Sequence, residues 1–152
     1  MIMDEGLEFA DAENVSTGGA ATNLIGDVID LGVVRDIGQG HPLYLVIQVS
    51  IDFAGGTAMQ FILASDSQAA IAVDGSESRH YLSDVFLDAD LTAGDFRMVI
   101  PLPMGSVANS ITPYERYLGI LGVGTGTHSA GAIDAFLTSD PIGWRAYPDA
   151  NN

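Results

Sequence analysis

Alternation with a period of two residues constrains this chain more than any other feature. Leu43, Leu45, Ile47, Val49, Ile51 and Phe53 fall on one side of an extended segment, and Tyr44, Gln48, Ser50 and Asp52, joined by Val46, fall on the other. Successive side chains of a strand point to opposite faces, so the pattern describes a strand with one buried face. Shorter copies recur as Met59, Phe61 and Leu63; as Phe96, Met98, Ile100 and Leu102; as Ile29, Leu31 and Val33; and as Ile133, Ala135 and Leu137. The segment 117–123 is apolar on both faces, which predicts a central strand covered on both sides, a subunit contact being one way to cover it. In 81–87 the alternation is broken by Ser83 and Asp84, as a bulge or an edge would break it. Residues 66–73 have room for one helical turn capped by Asp66 or Ser67.

Turn signals separate these runs: 38–42, Gly55-Gly56, Asp74-Gly75, 93–95 and 103–105. Gly122, Gly124 and Gly126 read as a flexible β-turn between two strands. The fold expected is all-β, a two-sheet jelly-roll-like sandwich of about eight strands, with a β-barrel as runner-up. The 152 residues suit one domain, 1–152. Residues 1–21, acidic and Gly-rich, form a candidate extended arm, and 141–152 a non-regular tail.

Composition excludes several function classes. There are 20 acidic residues against 5 basic ones, for a formal charge of −15, and no lysine. The arginines, at 35, 79, 97, 116 and 145, are scattered. Phosphate neutralisation needs clustered basic side chains, so no nucleic-acid partner is expected, and no anionic membrane surface. Cysteine is absent, which excludes disulfides and thiolate chemistry. The acidic amino terminus lacks the apolar stretch of a secretory signal, so synthesis in the cytosol is expected.

The chemistry-bearing residues form no recognisable constellation. His41, His80 and His128 each lack a second histidine or carboxylate two residues away, so a cupin-like metal site is not expected and all three read as surface or turn residues. The run Asp88-Ala89-Asp90 starts like a calcium loop, but Ala93 and Val99 stand where such a loop needs glycine and glutamate. No Gly-x-Ser-x-Gly elbow occurs. No enzyme activity and no cofactor are expected. Trp144, Arg145 and Tyr147 are of the types enriched at binding hot spots, and they follow the last strand. Packing of this tail back onto the domain competes with contact to a partner. Trp144 beside Asp140 also leaves open a carbohydrate- or ligand-binding module.

Several blocks, in order, carry a resemblance. They are residues 1–13, then 27–32, 35–38 and 43–46; then Phe96-Arg97-Met98-Val99-Ile100-Pro101-Leu102-Pro103; then Glu115-Arg116-Tyr117-Leu118; and last 146–150. Together they resemble the capsid cement (decoration) proteins of short-tailed DNA bacteriophages, of the Bordetella-phage type. The resemblance implies a jelly-roll homodimer on the outer surface of an icosahedral head. It also implies the major capsid protein as partner and a virion location. On that footing Leu7, Phe9, Trp144, Arg145 and Tyr147 are the expected capsid contacts, and Leu118 and Ile120 the expected dimer contacts.

Overall fold

A computed structural model describes residues 5–15, 21–34, 37, 42–103 and 114–141. Six strands occur among them: β1 (Glu8–Asn14), β2 (Thr22–Asp30), β3 (Tyr44–Asp66), β4 (Ser78–Leu87), β5 (Arg97–Pro101) and β6 (Tyr117–Thr138). All the pairings are antiparallel and belong to one sheet. The described residues hold two short 3-10 turns, Glu5–Leu7 and Asp88–Asp90, and no α-helix.

The two long strands organise everything else. β3 and β6 run together from Tyr44 opposite Thr138 to Asp66 opposite Tyr117. One half of this ladder is flanked by β1 and β5, the other by β2 and β4. Between the halves the register shifts four times, from Val49 to Ala58. Shifts of this kind bend a strand and increase its twist. The bend lets both halves feed one core: Leu45, Ile47 and Ile133 from the first half join Phe61, Leu63, Leu118 and Ile120 from the second. Phe96, just before β5, packs against Phe61 and Phe86 of the opposite half, with ring centroids 6.3 and 4.8 Å away.

Several expectations change. The all-β class holds, but the strands number six among the described residues, not about eight. The alternating runs 43–53 and 59–63 both belong to β3, and 117–123 and 133–137 both belong to β6, so four runs make two strands. Gly55-Gly56 is not a reversal but part of the bend inside β3, and the glycines at 122, 124 and 126 lie within β6 rather than in a turn. Part of the candidate amino-terminal arm is strand β1, hydrogen-bonded to β6. No helical turn forms at 66–73. Asp66 instead closes a loop, its carboxylate accepting the backbone N–H groups of Gln68 and Ala72. Burial pushes the Asp66 carboxyl up, but these bonds and those from Ser67 outweigh it and hold its pKa below the ordinary value.

That loop explains the doubly apolar segment of β6. Ile71 from the loop joins Ile62, Ala64 and Leu121 in a second, smaller cluster on the face away from the core. An added Cβ at Gly119 would lie 2.6 Å from the Ile71 Cδ1, so glycine leaves the room that Ile71 fills. The expected bulge in β4 is present, with a register shift where Ser83 and Asp84 stand. Ser83 makes up for the lost ladder bond, its Oγ accepting the Phe61 N–H at 2.9 Å.

Candidate binding surface and buried polar pairs

Two histidines lie inside the protein rather than on the surface. His80 is 0% exposed, and its Nε2 lies 2.6 Å from the Ser65 Oγ. Ser65 is also 0% exposed and accepts the Glu115 N–H at 2.9 Å. The His80 ring packs against Tyr114, with centroids 4.1 Å apart. A serine and a histidine at this distance have the geometry of a nucleophile and its base. Here both are enclosed, so the pair serves as a buried hydrogen-bonded link where β3, β4 and the approach to β6 meet.

His128 sits at the bend. Its Nε2 lies 3.0 Å from the Asp88 Oδ1, its side chain is 0% exposed, and Phe53 meets its ring edge-on at 5.7 Å. The imidazole occupies a slot over glycine, since a Cβ at Gly56 would lie 2.4 Å from the Nε2. Asp88 belongs to the β4–β5 connection, which is also tied to β3 by Phe53 N–H to the Leu91 carbonyl and Ala93 N–H to the Asp52 carboxylate. The pair therefore pins that connection across the bend. Asp88 is thus a hydrogen-bonding partner in the fold, and no group of three or more His, Asp or Glu side chains that could hold a metal ion occurs among the described residues. His41 lies outside the described residues.

The expected contact residues are placed as follows. Leu7 is half-buried in the first 3-10 turn and packs against the core. Phe9 is 1% exposed and belongs to the core, so it is not a surface contact of the protomer. Leu118 and Ile120 are each 0% exposed on the core face of β6, so they cannot form a dimer surface. Their segment is covered on both sides by the protein's own core and by the Ile71 loop. Trp144, Arg145 and Tyr147 lie outside the described residues.

What the surface offers instead is aliphatic. Among the described residues β4 ends the strand order β1-β6-β3-β4 and stands at the edge. It turns Leu82, Val85 and Leu87 to solvent at 40, 61 and 55% exposure. Exposed single aliphatics are ordinary, but three along one strand form a candidate contact surface. The cue in the sequence is the irregular alternation of 81–87, which is consistent with a bulge or an edge; β4 shows both among the described residues.

Elsewhere the surface is acidic. Asp30 and Arg116 form a two-point pair, with Nε and Nη2 donating to the two carboxylate oxygens at 2.9 and 2.8 Å. The guanidinium also lies over Tyr117, 5.0 Å from the ring centroid. The hydrogen bonds from Arg116, then that from the Gly32 N–H, lower the Asp30 pKa from 3.8 to about 2. The folded value lies below the unfolded one. The pair's contribution to stability is therefore complete above 3.8 and is lost as the pH falls through about 2. Arg116→Gln is expected to return Asp30 most of the way to its ordinary value in an NMR titration of the side-chain carboxyl carbon. A midpoint still near 2 in that variant would assign the shift to another group.

The geometry defines a class: an antiparallel all-β protein with its serine–histidine and histidine–aspartate pairs enclosed and an aliphatic edge strand turned outward. Residues 9–137 match the model of the Bbp16 family, a family of Bordetella phage proteins. The chain belongs to the Bbp16 family. The match starts inside β1 and ends inside β6, so it spans the whole sheet; Leu7, Trp144, Arg145 and Tyr147 lie outside it. A search of curated proteins found no match.

Proposed function

We propose that this chain is a structural virion protein, a cement that binds the outside of a tailed-phage icosahedral head and braces the joints between capsomers. The observation that carries the reading is the match to a phage protein family across all six strands. The enclosure of the Ser65–His80 and His128–Asp88 pairs supports a role in which complementarity of surfaces, not catalysis, is the function. In this reading the folded sheet works as a jelly-roll-like sandwich, a rigid block faced by edge strands. The partners are the major capsid protein and a second copy of the chain. A twofold dimer presents one patch twice, and on a symmetric lattice such paired binding raises avidity by roughly 10²–10⁴. Leu82, Val85 and Leu87 of β4 replace Phe9, Leu118 and Ile120 as candidate contacts. An acidic surface suits such a protein, because it keeps the free protomers off the genome during assembly.

Electron cryo-microscopy of heads lacking the protein, before and after adding it, tests the proposal. Ordered new density at fixed lattice positions is the expected result. Unchanged heads at saturating protein would overturn it.

A further inference from the structure

The sequence contains a single Asp-Gly pair, Asp74-Gly75, and no Asn-Gly. At Asp-Gly a backbone nitrogen closes readily on the neighbouring side chain, because glycine brings no Cβ to obstruct the approach. The Gly75 nitrogen attacks the Asp74 Cγ, an N–Cγ bond forms, and the amide proton leaves with one carboxyl oxygen as water. The product is a cyclic succinimide. Water then opens the ring at either carbonyl. One opening restores aspartate; the other leaves isoaspartate, in which the backbone runs through the Asp74 Cβ. The reaction needs an exposed site, a neutral carboxyl whose oxygen can leave, and a nitrogen that can give up its proton.

The structure meets the first need and opposes the other two. Asp74, Gly75 and Ser76 are all exposed, and nothing lies within 4 Å of an added Cβ at Gly75. The Asp74 Oδ1 accepts two hydrogen bonds from Ser76, from its Oγ at 2.7 Å and from its N–H at 3.1 Å. These bonds favour the carboxylate over the neutral acid and hold the Asp74 pKa below its ordinary value. The Gly75 N–H donates to the Glu77 Oε2 at 2.9 Å. Glu77 is 6% exposed, and its other oxygen accepts the Arg79 Nε at 2.7 Å. In the ring the Gly75 nitrogen carries no hydrogen, so closure would deprive the enclosed Glu77 oxygen of this donor, a loss that costs free energy. Isoaspartate would also lengthen the backbone of the loop whose Ile71 covers the second apolar cluster.

We infer that Asp74-Gly75 is a latent isomerisation site, and that Ser76 and Glu77 hold it shut in the folded protein. Ser76 acts on the carboxyl and Glu77 on the nitrogen, the two atoms' groups that ring closure joins. This inference does not depend on the cement reading, and its test needs no capsid.

Ageing the full chain beside a peptide of residues 70–80 tests it, with isoaspartate at position 74 quantified by chromatography and mass spectrometry. The folded chain should form it many-fold more slowly than the peptide. Ser76→Ala should raise the rate in the folded chain several-fold, and Ser76→Thr, which keeps the hydroxyl, should not. Neither change should matter in the peptide. The pH profile separates a hold on the carboxyl from mere stiffness of the loop. The rate falls as the carboxyl ionises, and the folded pKa lies below the ordinary one, so the fall should come at lower pH in the folded chain than in the peptide. Ser76→Ala should move it back up. Equal rates in chain and peptide, or a fall at the same pH in both, would overturn the inference. A Ser76→Ala chain that ages like the unaltered one would overturn it as well.

Discussion

Phe9→Ala is expected to destabilise the protein by about 3–5 kcal/mol, the usual cost of deleting a buried aromatic ring. Phe9 is 1% exposed and sits in the main core with Ile25, Leu118 and Ile133, although it comes from the first strand of the chain. The loss has two sources. The ring's own burial is forfeited, and the surrounding strands cannot fully collapse into the space, because β1 and β2 are held by β6 on one ladder each. Urea denaturation followed by circular dichroism measures the effect. A capsid-contact role would leave stability unchanged and lower only shell occupancy. A loss under about 1 kcal/mol would therefore remove Phe9 from the core and restore it as a surface residue.

Gly26→Ala should be of similar size for a different reason. Gly26 has φ of +65°, and a Cβ there would lie 2.0 Å from the backbone oxygen of Phe9. The left-handed conformation costs an alanine roughly 1–2 kcal/mol. The clash adds roughly 1–3 kcal/mol, because the obstruction is backbone and cannot rotate away. Gly75→Ala supplies the comparison. Its φ is +96°, but nothing lies within 4 Å of an added Cβ, so it should show the conformational cost alone. If the two variants lose the same stability, β1 and β2 do not approach as closely as described. Because Gly26 touches Phe9, the two large effects should not add in the double variant.

Much of the fold was legible because period-two alternation depends on nothing but one buried face. The run 43–53 and the run 96–102 both fall on strands, and 117–123 is central in the sheet as its two apolar faces required. What failed was the reading of glycine. Gly55 in β3 and Gly126 in β6 use the same positive-φ backbone that a hairpin would use, and Gly56 and Gly124 leave room for His128, yet all four lie in a bend within continuous strands. A hairpin and a bulged bend differ in which distant strand lies alongside, and no local pattern records that. The same limit hid the histidines. His80 is enclosed by Ser65 and Tyr114, and His128 by Asp88 and Phe53, none of them neighbours in the sequence. Leu118 and Ile120, expected at a dimer contact, face the protein's own core, and the second face of their segment is covered by the loop carrying Ile71. The broken alternation of 81–87 allowed an edge, but which aliphatics of β4 face solvent depends on the strand order.

The place of β6 in this sheet bears on how the protein can be made. Among the described strands, β1 and β2 each pair with β6, and β3 relies on it for the longest of its ladders. Yet β6 is the last of the six described strands to leave the ribosome. A nascent chain that has reached residue 116 has its first two strands without their ladder and β3 open along one side. Its closure waits on contacts of long sequence separation, which form slowly and leave strand edges exposed in the meantime. The ladders of β1, β2 and β3 with β6 thus close late and together.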